Sequence, residues 1–92
     1  MNIRELLTKL SIRPSDEYKI DRDGSSWVIR IIDSDHFGVI YSKLQKLDFV
    51  EEDMDEGKIT NNINLKYFND SLHIELNGDF DEDKYQMKIS EE

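Results

Sequence analysis

A chain of 92 residues allows one hydrophobic core and no second domain. At this size only roughly 60 to 65% of the unfolded surface is buried, so a deep substrate cavity would consume much of the interior. Apolar residues make up 37% and charged residues 36%, enough aliphatic and aromatic content to exclude a disordered class. Cysteine is absent and the formal net charge is −9. This excludes disulfides and thiolate metal sites, points to a reducing compartment and sets the overall field against direct binding of DNA or RNA.

The first segment spaces Ile3, Leu6, Leu7 and Leu10 as one face of a helix over about 3–11, with Asn2 as cap and Glu5 three residues on. Acidic and basic residues interrupt its apolar run, so it is not a secretory signal, and no run approaches the ~20 residues that span a bilayer. The expectation is a soluble, cytoplasmic protein, in which the Asn69-Asp70-Ser71 sequon has no glycosylation role. Pro14 stops the helix. Tyr18 and Ile20, then Trp27, Ile29 and Ile31, alternate as two strands around Asp21-Arg22-Asp23-Gly24, a turn sequence whose glycine tolerates positive φ. The second of these strands is apolar on nearly both faces apart from Arg30, which predicts a central place under a helix.

Phe37, Ile40, Tyr41, Leu44 and Leu47 form a helical stripe over about 35–47, with acids at its start and Lys43 and Lys46 near its end. The period then changes to two. Ile63, Leu65 and Tyr67, then Leu72, Ile74 and Leu76, then Tyr85, Met87 and Ile89 read as three antiparallel strands, the first pair joined at Asn69-Asp70. Asn77-Gly78 is a strong hairpin signal. Phe80, however, shares parity with the Leu72 face only if the strand runs on through Gly78, which then marks a bulge or a close backbone approach. The turn falls at Asp81-Glu82-Asp83 and a last strand covers about 84–89. Phe49 and Val50 open a short strand before an acidic turn ending at Gly57, and Ile59 starts the next. The expected fold is a single α+β domain over 1–92, of order αββα followed by three or four strands, with a C-terminal β-meander packed against two helices.

Chemistry-bearing motifs are few. Aligning Gly24 with the sixth position of an EF-hand loop puts Lys19 first and Arg30 twelfth, a mismatch. Asp79, Asp81 and Asp83 repeat as D-x-D-x-D, but Lys84 stands at the glycine position and Ser90 at the terminal glutamate, which favours a solvated acidic turn, with a loose Ca²⁺ or Mg²⁺ site as the other reading. The two histidines, His36 and His73, are candidates for acid–base or metal work. His73 has only Glu75 as companion on its strand face, and His36 sits at a helix start between Asp33 and Asp35. Ser34-Asp35-His36 is an adjacency, not a catalytic triad. The four isolated glycines make no phosphate loop. Trp27 fits core packing behind the hairpin, with a ligand pocket as the other reading. No catalytic residue, metal or cofactor is assigned, and a non-enzymatic role is expected.

Charge is the informative property. Residues 1–46 carry eight Lys/Arg and seven Asp/Glu, a net of +1, whereas residues 47–92 carry four Lys and fourteen Asp/Glu, a net of −10. Two runs concentrate it: Asp48, Glu51, Glu52, Asp53, Asp55 and Glu56, and then Asp79, Asp81, Glu82 and Asp83. One reading is solubility and protection of sheet edges. The other is a negative surface that steers the chain onto a basic protein, with Met54 and Phe80 as apolar anchors. Size and charge resemble those of small phage-encoded inhibitors that imitate nucleic acid, certain anti-CRISPR proteins among them; the resemblance is compositional and involves no motif. The Ile-, Asn-, Lys- and Asp-rich usage suits an AT-rich bacterial or phage genome. The expected function is therefore an acidic binding module or inhibitor whose basic partner handles nucleic acid. The alternative is a structural protein that self-associates through its sheet edge or second helix.

Overall fold

The computed structural model describes residues 1–57 and 60–91; Ile59, the expected start of a strand, lies outside them. Among the described residues two helices, α1 (Ile3–Lys9) and α2 (Ser34–Leu44), and six strands, β1 (Tyr18–Asp23), β2 (Ser26–Ile31), β3 (Val50–Asp53), β4 (Asn62–Phe68), β5 (Leu72–Asp79) and β6 (Lys84–Glu91), follow in the order αββαββββ. All strand pairs are antiparallel, in one sheet of order β1-β2-β6-β5-β4-β3. The class is α+β. The C-terminal strands form the expected meander, but it does not stand apart. The far side of β6 pairs with β2, so hairpin and meander are one sheet and β2 lies second from an edge.

Both helices lie on the same face of the sheet. Ile3, Leu6, Leu7 and Leu10 from α1 and its C-terminus, and Phe37, Ile40 and Leu44 from α2, close over Ile29 and Ile31 of β2, Leu72, Ile74 and Leu76 of β5, and Tyr85, Met87 and Ile89 of β6. Alternation decides which side chains these are, because one step along a strand reverses the face. No charged or polar residue is buried among the described residues. Among the described residues no layer covers the opposite face. That face carries a row that runs in register across the sheet, Asp21, Val28, Lys88, Glu75, Lys66 and Glu52, in which signs alternate over the four strands from Lys88 to Glu52, as cross-strand pairing favours.

Local chemistry sets the element ends. Asn2 Oδ1 accepts from Glu5 N at 2.9 Å at the start of α1. The helix closes earlier than its apolar stripe implies, in a left-handed turn at Ser11 (φ 57°) where Ile12 N donates to Leu7 O at 2.9 Å. This is the C-terminal arrangement that a glycine usually supplies. Lys43 of α2 donates to Leu10 O at 3.1 Å, satisfying a carbonyl at the C-terminus of α1. Helix α2 stops at Leu44 rather than Leu47 because the chain tightens, with Lys46 N and Leu47 N donating three residues back, and then turns into β3. In the first hairpin β1 runs on through Asp23, which pairs with Ser26, and the reversal is at Gly24 (φ 61°). In the β4–β5 hairpin, Asn69 closes the turn by accepting through Oδ1 from Ser71 N and Leu72 N, so no left-handed residue is required there.

Asp33 caps α2, its Oδ1 accepting from His36 N at 2.8 Å and lying 2.7 Å from His36 Nδ1. The backbone hydrogen bond, followed by the imidazole contact, holds this carboxyl below its ordinary value. A depressed folded pKa contributes stability above the unfolded value of about 3.9 that disappears as pH falls through the lower folded one. Replacing Asp33 with Ala is therefore expected to lower the thermal midpoint at neutral pH, the gap to the native chain closing below about pH 4. Asp33→Asn, which keeps a capping acceptor, should retain most of the midpoint without that pH dependence. An Asp33→Ala gap that stays constant down to acid unfolding would contradict the assignment.

Candidate functional site

The end of the first acidic run, residues 53–56, and the whole of the second lie at the same end of the sheet, at the corner where β4 begins, whereas Asp48 precedes β3 at the other end, beyond the Val50–Phe68 pair. Strand β3 is an outer strand, and all four of its residues are exposed. Its pairing with β4 continues into the following turn, where Met54 N donates to Asn64 O at 2.9 Å. The β4–β5 register sets Asn62 opposite Asp79, which carries the β5–β6 turn to the end of the sheet where β4 begins. Two asparagines tie the loops together. Asn61 O accepts from Phe80 N at 3.0 Å while Asn61 Nδ2 donates to Asp81 Oδ1 at 2.9 Å, and Asn64 Nδ2 donates to Asp55 Oδ2 at 2.6 Å. Neither asparagine stands out in the sequence, since each acts only through the register of β4.

Within this corner the carboxylates divide by what they do. Glu51 points to the helix side, where its Oε1 accepts from Tyr67 Oη at 2.9 Å and Gln45 Nε2 at 2.8 Å, and Gln45 Nε2 also donates to Tyr67 Oη at 2.8 Å. Burial, the hydrogen bond to Glu51 and the Glu51 charge push the Tyr67 phenol far above its ordinary range. Asp53 Oδ1 accepts from Asp55 N at 2.8 Å, and Asp79 Oδ1 accepts from Asp81 N and Glu82 N at 3.1 Å. These are side-chain turns that shape the loops. Asp83 adopts φ 55°, and with burial its carboxylate raises the Tyr85 phenol. Glu52 lies across from Lys66 on the open face. Asp48, Glu56 and Glu82 are exposed, and among the described residues no side-chain hydrogen bond or ion pair engages their carboxylates.

The two apolar residues differ in the same way. Met54 is 57% exposed with no core beneath it, whereas Phe80, at 44%, stands edge-on to Phe37 and Tyr85 with centroids 6.1 and 5.5 Å away. Phe80 thus closes one end of the core even though β5 stops at Asp79.

A cavity of about 610 Å³ opens on the uncovered sheet face beside this corner, where Arg30, Asn64, Asn77, Asp79, Lys84 and Gln86 line it. Its carboxamides donate and accept hydrogen bonds, and Arg30, Asp79, Asp83 and Lys84 add charges of both signs. His73 stacks edge-on against Phe68, centroids 6.0 Å apart, and His36 is held by Asp33. Among the described residues no three His, Cys, Asp or Glu side chains converge to hold a metal ion, and no helix is long and apolar enough to cross a membrane. Trp27 is half-buried at the far edge, under the guanidinium groups of Arg22 and Arg4, which lie 4.2 and 5.6 Å from its ring centroid. No protein-family model, curated protein or solved structure matches the chain.

Proposed function

We propose that the protein is a small acidic binding module that docks on a basic protein through this corner of the sheet. The observation that carries the reading is the convergence itself. The end of one acidic run and the whole of the other, separated by β4 and β5, are hydrogen-bonded into one surface through Asn61 and Asn64. Solubility alone needs dispersed charge, not joined loops. Internal hydrogen bonds fix the loop shapes and leave Glu56 and Glu82 facing outwards at this corner, with Glu52 on the open face of β3 and Asp48 exposed at the far end of that strand. Preorganised charge steers encounter and lowers the ordering cost of binding. A partner groove built for phosphate has the matching chemistry, so a nucleic-acid-handling protein is the partner class, and occupation of its groove makes the module an inhibitor.

Reversal of the outward carboxylates by Asp48→Lys, Glu56→Lys and Glu82→Lys tests this without disturbing the fold, because none of the three holds a loop. In a pull-down from the source cells, the native chain should retain basic proteins at low salt and release them at high salt. The triple variant, with an unchanged far-UV spectrum, should lose retention by at least about tenfold, as expected for several rim charges acting together. Retention indifferent both to salt and to the triple reversal would overturn the reading.

A further inference from the structure

The opposite edge of the molecule carries a groove of about 410 Å³ between α1 and β1. Its floor is apolar, from Leu7, Pro14 and Ile20, and Trp27 forms a wall. Arg4 and Arg22 both lie over the Trp27 ring. Among the described residues the ion pairs are Lys19–Asp16, Arg30–Asp21 and His36–Asp33, and neither Arg4 nor Arg22 takes part in one. In a chain with 21 Asp and Glu against 12 Lys and Arg, two arginines on one indole with no carboxylate at ion-pair distance among the described residues are an anion-accepting pair beside an apolar slot. A ligand that satisfies both parts needs acidic groups flanking a flexible apolar side chain.

The chain itself presents such a segment, Glu51-Glu52-Asp53-Met54-Asp55-Glu56, with Met54 exposed among carboxylates. Strands β1 and β3 are the two edges of a six-stranded sheet. Five strand spacings of about 4.8 Å put groove and segment about 24 Å apart, so a molecule cannot fill its own groove. We propose that the groove receives the Glu51–Glu56 segment of a second copy, joining copies head to tail. Met54 enters the slot against Trp27, a favourable sulfur–aromatic contact, and the flanking carboxylates meet Arg4 and Arg22. Such a contact is heterologous: every added copy leaves one groove and one acidic segment free, so assembly continues as a chain or closes as a ring. The inference rests on the acidic corner being a recognition surface and names one occupant for it, another copy of the chain.

Light scattering after size exclusion, over a range of concentrations at low and high salt, tests the contact. The weight-average mass should rise with concentration at low salt and return to the monomer at high salt. Trp27 is the only tryptophan, so its emission should shift with the same concentration dependence. Met54→Lys, on an exposed turn with no packing role, should abolish both effects. So should Arg4→Glu with Arg22→Glu. Each variant alone is expected to be monomeric, while a mixture of the two should give a dimer and nothing larger, because one supplies only the segment and the other only the groove. A chain monomeric at millimolar concentration and low salt, or an association insensitive to both changes, overturns the proposal. The double arginine variant keeps its acidic corner, so retention of basic proteins by that variant separates failure of this contact from failure of the proposed function.

Discussion

Gly78→Val is expected to destabilise the fold by roughly 3 kcal/mol, at the upper end of the cost of overpacking a core, read as a fall in the urea midpoint at unchanged slope. Gly78 lies within β5, paired with Ile63 and Tyr85. A Cβ there would meet Phe37 Cζ at 3.0 Å, Tyr85 Cδ1 at 3.1 Å and Phe37 Cε2 at 3.2 Å. Phe37 is 3% exposed and anchors α2 over the sheet. Its ring is tilted against Tyr85 at 5.2 Å and edge-on to Phe80, so it cannot retreat without moving the helix. Ala, which needs a shift of only a few tenths of an ångström and restricts the unfolded chain, should cost no more than about 1 kcal/mol. If the Phe37 ring is the obstruction, Phe37→Leu should recover part of the Val penalty, a coupling visible in a double-mutant cycle. Additive penalties for Gly78→Val and Phe37→Leu would locate the strain elsewhere.

Gly78 also shows how far the sequence can be read. Asn77-Gly78 is a local hairpin signal, yet the parity of Leu72, Ile74, Leu76 and Gly78 requires a continuous strand, and the strand is continuous through Asp79. Global packing overrides the local preference. Both helices and most strands were legible for the same reason: only one face of each is buried, so periodicity survives in the apolar residues. The pairing of β2 with β6 was not legible, because contact between strands more than fifty residues apart leaves no mark in either. The acidic runs could be seen in the sequence. Which carboxylates build turns and which face outwards could not, since that depends on where β4 places Asn61 and Asn64. The groove was equally hidden. Arg4 and Trp27 meet only because α1 packs across β6 and lies beside the edge hairpin, and no local pattern records that crossing.

Alkaline pH should expose Tyr67 as the most pH-sensitive support of the β3 edge. Tyr67 is 1% exposed and its hydroxyl joins Glu51 and Gln45 in a closed set of hydrogen bonds. Ionising it would bury a phenolate against a carboxylate, which is why its folded pKa lies far above the ordinary 10.0. The sign follows directly. A raised folded pKa gives a contribution that is complete below the unfolded value of about 10 and is lost as pH rises beyond it, because the unfolded chain releases the proton first. The loss for this one group approaches about 1.4 kcal/mol per pH unit. The phenols of Tyr18 and Tyr85 are also raised, chiefly by burial, and add to the slope in the native chain. Tyr67→Phe should cost about 1 kcal/mol at neutral pH through the lost hydrogen bonds, while Glu51 and Gln45, both exposed, recover water as partners. Above about pH 10 its stability should fall less steeply than that of the native chain, so the two profiles converge near pH 11. Urea midpoints across that range, followed together with tyrosinate absorbance, measure both slopes. In the native chain the Tyr67 share of the absorbance should appear only with unfolding. Parallel profiles for Tyr67→Phe and the native chain would mean that the phenol ionises freely in the folded state and that the Glu51 contact does not hold the edge.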